Sequence, residues 1–278
     1  MDGYHVFERH KLTAWAEGID MQIISKLRPN SARMWDFVMG GNHNFTVDRA
    51  AVKLAQTLYP YYEESMKAQR GFLQRAVTNM VKEKELDTFI DFGSGLPTMG
   101  NVHEIVLALN PRARILYSDR DSIAVSFGKE LLKDDPQVQY IYCDITESHT
   151  FFESSQVTHF IGSNHRVGIG LVGVFLYIPD DPLAEFLQRL YEWALPGSYI
   201  AVTSAGPRVS NISGVVEASQ KLGLQFYSRS VKETENLMGP WNLTEEGIVP
   251  GFYWGLSSDS PQINSEIETL SYSFLAYK

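Results

Sequence analysis

From Thr88 onwards the chain alternates between short apolar runs and helical patterns, and this alternation constrains its fold more than any other feature. The runs are rich in β-branched and aromatic residues, so they predict strands. Strands that alternate with helices form βαβ crossovers, which require a mainly parallel sheet covered on both faces. The predicted strands are Thr88–Phe92, Ile115–Ser118, Val138–Cys143, Gly168–Phe175 and Tyr199–Thr203.

The segments between and after these strands complete the predicted doubly wound α/β fold. Apolar residues at helical spacing predict helices over residues 102–109, 123–132 and 183–195. The stretch from Gly239 to Pro261 is rich in turn residues, and a closing strand is expected at Thr269–Tyr277. Two late strands without a helix between them predict an antiparallel hairpin at one edge of the sheet.

The first 85 residues contain helical patterns and no convincing strand. Residues 1–26 predict a loosely helical arm, Ser31 and Thr46 are candidate helix caps, and a longer helix is expected after Pro60. The expected organisation is therefore an N-terminal helical arm and cap at residues 1–85, followed by an α/β domain at residues 86–278. Because no linker separates the two, we expect one compact unit.

Composition excludes several classes of function. The net charge is −9 and lysine and arginine do not cluster, which argues against nucleic acid as a partner. No apolar run is long enough to cross a bilayer, and the first residues lack a signal-peptide pattern, so a cytoplasmic protein is expected. With one cysteine, Cys143, an internal disulfide is excluded. The histidines lack the carboxylate or second histidine that a zinc site needs, so no metal is expected.

A glycine turn follows the first predicted strand, and it is the strongest functional signal. It reads Asp91-Phe-Gly-Ser-Gly-Leu-Pro97, and Asp119 and Asp144 end the next two strands. Each feature alone is more often an ordinary turn or a helix cap. Together, at successive strand ends, they predict a nucleoside site, with Asp119 accepting the ribose hydroxyls and Asp144 the adenine amino group.

The details of the turn favour one nucleoside over another. A dinucleotide fingerprint places a third small residue where this chain has Thr98, and Pro97 stiffens the turn. The carboxylate of Asp91 would repel a pyrophosphate but could orient an ammonium group. A ligand with adenosine, a sulfonium and an amino acid end therefore fits better than NAD, and a nicotinamide dehydrogenase is the less favoured alternative.

Several motifs resemble a bacterial family of S-adenosylmethionine-dependent methyltransferases long catalogued as a domain of unknown function. The segment at residues 89–104, FIDFGSGLPTMGNVHE, resembles its first motif, and residues 28–49 resemble its N-terminal signature. Residues 70–75 are similar to the helix before the first strand, and residues 243–250 to a stretch near the end. The resemblance covers roughly residues 27–278.

The resemblance implies a class I methyltransferase fold with a seven-stranded sheet and one antiparallel strand. S-adenosylmethionine is the implied cofactor, and the segment Gly40–Asn44 would fold over the site as part of a lid. The predicted cofactor-binding residues are Asp91, Gly93, Ser94, Gly95, Asn101, Asp119, Arg120, Asp144, Ile145, Gly41 and Asn44.

Methyl transfer needs little more than alignment of the reacting atoms, so no catalytic triad is expected. A base is required only when the acceptor loses a proton, and the candidates are Tyr177, His43 and, less favoured, His103. The resembling family often has a histidine where this chain has Leu176, which puts a histidine base at that position in doubt.

Aromatic residues crowd the segments expected to form the cap, where most are expected to pack in the core. They also suit a planar or apolar acceptor. The predicted function is transfer of a methyl group to a small molecule, an aromatic or apolar natural product of secondary metabolism. The alternative is a sensor that binds S-adenosylmethionine without turnover. The aromatic residues are Trp15, Trp35, Phe37, Phe45, Trp241, Phe252, Tyr253 and Trp254.

Overall fold

The structure is a computed structural model that describes residues 28–97, 100–162, 166–221, 225–257, 265–268 and 270–278. The predicted N-terminal arm, Trp15, Thr98 and His165 lie outside these residues. Within the described residues, three helices precede the sheet: α1 (Ser31–Val38), α2 (Thr46–Leu58) and α3 (Tyr62–Lys82).

The α/β part begins with five strands and the helices between them. Its elements are β1 (Thr88–Phe92), α4 (Val102–Leu109), β2 (Arg114–Asp119), α5 (Ser122–Leu131), β3 (Val138–Tyr142), α6 (His149–Phe152), α7 (Ser155–Ile161), β4 (Gly168–Leu171), α8 (Asp180–Trp193) and β5 (Tyr199–Ala205). The remaining elements are α9 (Val215–Lys221), α10 (Val231–Leu237), β6 (Asn242–Leu243), β7 (Val249–Pro250), α11 (Ser265–Glu268) and β8 (Ser271–Tyr277). Short 3₁₀ turns cover Ile145–Glu147, Phe175–Tyr177 and Pro207–Asn211.

One mixed sheet contains all the strands of the described residues, in the order β3-β2-β1-β4-β5-β8-β6, and β7 also pairs with β8. Strands β1 to β5 are parallel, whereas β8 is antiparallel to β5, β6 and β7. The predicted doubly wound fold with an antiparallel edge is confirmed. The order reverses between β1 and β4, which is where ligands bind in such sheets.

Side chains that alternate along the strands fill two cores, one on each face of the sheet. In β1, Phe89 points to the core formed with α3 and α4, while Ile90 and Phe92 point to the core formed with α8. Helix α3 contributes Phe72 and other fully buried residues to the first of these cores. The helix that ends the predicted N-terminal part thus packs directly on the sheet.

The structure corrects several predicted boundaries. The fourth strand ends at Leu171 rather than Phe175, because Gly173 adopts a positive φ of 77° and its N–H donates to Thr203 Oγ1 at 2.8 Å. Asn30, not Ser31, caps α1, since its side chain accepts from the Arg33 N–H.

At α2, Thr46 is the first helical residue rather than the cap, and the Asp48 carboxylate accepts from the Phe45 N–H. In the described part of the chain the sheet has eight strands rather than the implied seven, because β7, which has two residues, also pairs with β8. No helix in the described part of the chain is long and apolar enough to span a membrane.

Candidate cofactor and acceptor cleft

A cleft opens at the carboxyl ends of the parallel strands, across the point where their order reverses. Helix α1 covers it with one face, formed by two adjacent pairs of residues one turn apart and by the C-cap residue Met39. The lining residues are Ser31, Ala32, Trp35, Asp36, Met39, Arg70, Leu73, Asp91, Gly93, Ser94, Gly95, Leu96, Asp119, Arg120, Asp121, Cys143, Asp144, Ile145, Thr146, Val172, Gly173, Val174, Tyr177 and Ile178.

The glycine turn brings backbone close to the neighbouring elements in a way that other residues would prevent. Gly93 and Gly95 both have a φ of 64°, in the region that favours glycine. A Cβ on Gly93 would lie 2.3 Å from Val174 Cγ2, and one on Gly95 would lie 3.3 Å from the Ala32 Cβ of α1. Glycine at position 93 therefore lets the turn pass close to Val174 in the loop after β4, and glycine at position 95 lets it pass beneath α1.

Asp119 ends β2 with each carboxylate oxygen accepting one backbone hydrogen bond. Oδ2 accepts from the Gly95 N–H at 3.0 Å and Oδ1 from the Asp121 N–H at 2.8 Å. Burial raises the pKa of this carboxyl group, and the two hydrogen bonds oppose that rise. Each oxygen keeps a further lone pair, so the carboxylate can still accept the two hydroxyls of a ribose.

Asp144 follows β3 and is also only partly used by the protein. Its Oδ1 accepts from the N–H and the hydroxyl of Thr146, at 2.9 and 2.8 Å. In the described part of the chain, Oδ2 makes no hydrogen bond and is available to an adenine amino group. Ile145, which is buried, lies beside it in the cleft wall.

Asp91 is the penultimate residue of β1, and its side chain is buried, with 4% of the residue exposed. Burial raises its pKa to about 7, Asp119 adds to the rise, and the guanidinium of Arg70 opposes it. No described residue donates a hydrogen bond to the Asp91 side chain. A buried carboxylate without donors is unfavourable unless a cation binds to it, as the ammonium group of a ligand would.

Several predicted site residues do not line the cleft. Asn101 is buried behind it, where its Oδ1 accepts from Arg70 Nη1 at 2.7 Å. Gly41, His43 and Asn44 fold back on Asp36, whose Oδ2 accepts from the His43 N–H and from Asn44 Nδ2, both at 2.8 Å. The predicted lid segment is thus held by Asp36, while α1 itself covers the cleft.

His103 also lies outside the cleft and has a packing role. Its backbone N–H and its Nδ1 both contact the Tyr117 hydroxyl at 2.8 Å, and burial lowers its pKa. Leu176 is in the 3₁₀ turn, where its carbonyl accepts from the Tyr227 N–H at 2.8 Å. Of the candidate bases, only Tyr177 reaches the cleft, and burial raises the pKa of its phenol to about 12. The phenol therefore stays protonated at neutral pH and can donate a hydrogen bond.

Most of the predicted cap aromatics pack in the cores, as expected. Trp241, Phe252 and Trp254 are all at least 96% buried, and of the described aromatics in that set only Trp35 lines the cleft. No group of three or more potential metal ligands occurs within the described residues.

Sequence reasoning missed Arg70, Asp36, Asp121 and Cys143 as lining residues. Burial raises the pKa of the Cys143 thiol to about 12, so this thiol is unreactive at neutral pH. The motif at residues 70–75 was the available signal for Arg70. A helix pattern alone does not show which side faces a ligand.

Comparison with known proteins places this geometry in a family. The sequence profile of a family described as S-adenosyl methyltransferase matches residues 18–278. The chain belongs to this S-adenosyl methyltransferase family. It is an S-adenosylmethionine-dependent methyltransferase, S-adenosylmethionine is its cofactor, and the resemblance inferred from its motifs is confirmed. No curated protein matches the chain significantly.

Solved structures agree with the family in fold. A protein of Thermobifida fusca YX that is assigned as a methyltransferase is 28% identical, with a TM-score of 0.77, covering 90% of this chain and 95% of its own. A DUF574 family protein of Streptomyces avermitilis MA-4680 is 24% identical, with a TM-score of 0.81 and coverage of 92% and 99%. The plantazolicin methyltransferase BpumL, solved with S-adenosylhomocysteine and a triazolic desmethyl-plantazolicin analogue, shares the fold at 14% identity, with a TM-score of 0.52 and coverage of 89% and 95%.

Proposed function

We propose that this methyltransferase acts on a small aromatic or apolar acceptor, with the cofactor and the acceptor in opposite halves of the cleft. The observation that carries the proposal is the division of the cleft walls. Acidic and polar residues line the ends of β1, β2 and β3, whereas apolar and aromatic residues line the side of α1 and the β4 loop. The apolar half contains Trp35, Met39, Leu73, Val172, Val174, Tyr177 and Ile178.

In the polar half, Asp119 would hold the ribose, Asp144 with the Ile145 backbone the adenine, and Asp91 the ammonium group. Gly93, Ser94 and Gly95 would pass beneath the ligand, and Arg120 would flank it at the exposed rim. Bound S-adenosylmethionine supplies a methyl group on a sulfonium, an electrophile with a good leaving group. The remaining task of the chain is to align the acceptor and to exclude water.

In the apolar half, Trp35 and Tyr177 present two aromatic rings to the acceptor. The Tyr177 ring packs on Phe226 at 5.2 Å between centroids, which fixes its orientation. Since its phenol stays protonated, Tyr177 would donate a hydrogen bond that orients the acceptor instead of removing a proton. The chemistry of a flat, apolar acceptor fits a natural product of secondary metabolism.

The test is a product screen with purified protein, S-adenosylmethionine and acceptors in matched pairs that differ in apolar surface. Aromatic and apolar acceptors should give products heavier by one methylene together with S-adenosylhomocysteine. A preference for the polar member of each pair would contradict the proposed acceptor class. Binding of S-adenosylmethionine without product from any acceptor would instead favour a sensor.

Substitutions in the apolar half test directly whether this half of the cleft binds the acceptor. Trp35→Ala should raise the KM of an acceptor about tenfold or more through lost aromatic contact, while leaving unchanged the affinity for 5′-methylthioadenosine, an adenosine thioether without the amino acid end. Phe37→Ala, on the same helix but outside the cleft, is the matched control. An equal rise in the acceptor KM in both variants would show that Trp35 acts only through the packing of the helix.

A further inference from the structure

Arg70 lines the cleft, and only one of its three guanidinium nitrogens makes a hydrogen bond to a described residue. It lies on α3 and its Nη1 donates to Asn101 Oδ1 at 2.7 Å. Its Nε is buried with no partner, and in the described residues Nη2 donates to nothing either. Nε and Nη2 form one edge of the guanidinium, and that edge has the geometry of a bidentate carboxylate contact.

The surroundings hold this guanidinium in place without neutralising it. Its Cζ lies 5.7 Å from the centroid of the Trp35 ring, which lines the same cleft. Burial lowers the pKa of Arg70, while Asp91 opposes that effect. Asp91 is near enough to interact electrostatically but makes no ion pair with Arg70 within 4.0 Å.

The cleft therefore contains the Nε–Nη2 edge of a guanidinium and, near it, the carboxylate of Asp91, and neither makes a hydrogen bond to a described residue. A ligand that satisfies both must carry a carboxylate and an ammonium group a short distance apart, which is the pattern of an α-amino acid. Unsatisfied buried groups of this kind are costly in the free protein, and ligand binding relieves that cost.

We propose that Arg70 binds the carboxylate at the amino acid end of S-adenosylmethionine through Nε and Nη2, while Asp91 binds the ammonium group of the same ligand. This inference rests on the proposed placement of the cofactor in the cleft. Asn101 is then a positioning residue that acts through Arg70. It caps α4, its N–H donates to Glu104 Oε1 at 3.3 Å, and its Oδ1 holds Nη1 at 2.7 Å, which leaves Nε and Nη2 for a ligand.

The test compares two ligands by calorimetry in the absence of turnover. S-adenosylhomocysteine carries the amino acid end, and 5′-methylthioadenosine has the same adenosine and thioether without it. Arg70→Met should weaken the binding of S-adenosylhomocysteine about 10- to 100-fold and should change the affinity for 5′-methylthioadenosine by no more than about twofold. Arg70→Lys, which keeps the charge but not the fork, should recover only part of the loss.

The controls separate this role from a structural one. Lys67→Met removes an exposed charge from the same helix and should change neither affinity. Asn101→Ala should weaken the binding of S-adenosylhomocysteine but not that of 5′-methylthioadenosine, and the loss should be smaller than in Arg70→Met. Circular dichroism checks that each variant is folded, and Arg70→Lys carries the test if Arg70→Met does not fold.

Two results would overturn the inference. If the folded Arg70 variants lost affinity for both ligands equally, Arg70 would support the adenosine site or the fold. If the affinity for both ligands were unchanged, Arg70 would bind neither. If the native chain bound neither ligand, the placement of the cofactor in this cleft would fail as well, which distinguishes the two proposals.

Discussion

At the scale of single residues, the ionisation of Asp91 is the property most open to measurement. Its carboxyl group has a pKa of about 7 because it is buried, so near neutral pH it exists in both forms. Only the ionised form can pair with an ammonium group. Protonation should therefore compete with cofactor binding across an accessible pH range.

We expect the affinity for S-adenosylhomocysteine, relative to 5′-methylthioadenosine, to fall by about tenfold for each pH unit below pH 7 and to level off above it. Taking the ratio of the two affinities removes effects of Asp119, because its proposed partner is the ribose that both ligands carry. Asp91→Asn should lower the ratio and make it independent of pH. A pH-dependent ratio in this variant would assign the titration to another group.

Gly170 controls the position of the same carboxylate from the neighbouring strand. A Cβ at Gly170 would lie 2.4 Å from Asp91 Oδ1, so Gly170→Ala must displace the side chain. We expect about a tenfold loss of affinity for S-adenosylhomocysteine, equivalent to about 1.4 kcal/mol. Gly206→Ala, whose Cβ would lie no closer than 3.4 Å to other atoms, is the control and should leave calorimetric titrations unchanged.

At the scale of elements, α1 is the part of the chain that closes the cleft. Its cap, Asn30, holds the first turn and also donates a hydrogen bond from Nδ2 to Asp121. Asp121 in turn caps α5 and lies beside Asp119. The helix over the cleft is thus joined by a hydrogen bond to the loop that follows Asp119, the proposed ribose-binding residue.

Asn30→Ala should destabilise the protein by about 0.5–2 kcal/mol, as the loss of a cap does, and should also speed the dissociation of S-adenosylhomocysteine. Ser230→Ala removes the comparable cap of α10, which does not contribute to the cleft, so it should cost similar stability without changing dissociation. Stopped-flow dissociation and urea unfolding measure the two effects. Equal dissociation rates in both variants would show that α1 does not restrain the ligand.

At the scale of the whole molecule, α3 joins the N-terminal helices to the sheet. Phe72 in α3 and Phe274 in β8 are both fully buried, in cores on opposite faces of the sheet. Because α3 covers one face directly, we expect the N-terminal helices and the α/β part to unfold together.

Phe72→Ala and Phe274→Ala should each destabilise the protein by about 3–5 kcal/mol and shift one common unfolding transition. Leu54→Ala, at an exposed position, should change stability by less than about 0.5 kcal/mol. Calorimetry and circular dichroism monitor the transition. A separate early transition in Phe72→Ala alone would support an independent N-terminal domain that ends near residue 85.

Local patterns determined those parts of the fold whose signal lies within one element. Each parallel strand was predicted within a few residues, because buried strands are continuous apolar runs that end at turn residues. The short helices α6, α7, α9 and α10 were missed, since seven residues or fewer give little periodicity. Both helix caps were misplaced by one residue. Next to Ser31, Asn30 is an equally suitable polar cap, whereas α2 begins after Phe45, whose N–H donates to the Asp48 carboxylate.

Site residues were predictable where their position follows from a single strand, and not where it depends on contacts between elements. Asp91, Asp119 and Asp144 were predictable, because the carboxyl ends of adjacent parallel strands meet at one edge whatever the remaining details. Arg70, Asn101 and His43 were not, since their roles depend on which side of a helix or loop faces the cleft.

The sequence by itself determined the α/β class, the family and the order of acids after successive strands, because these follow from residue type and spacing along the chain. Only the tertiary structure decided that α1 covers the cleft, that Asn101 holds Arg70 and that the Gly40–Asn44 segment folds back on Asp36. Those contacts join residues from different elements, and their formation depends on packing across the whole molecule.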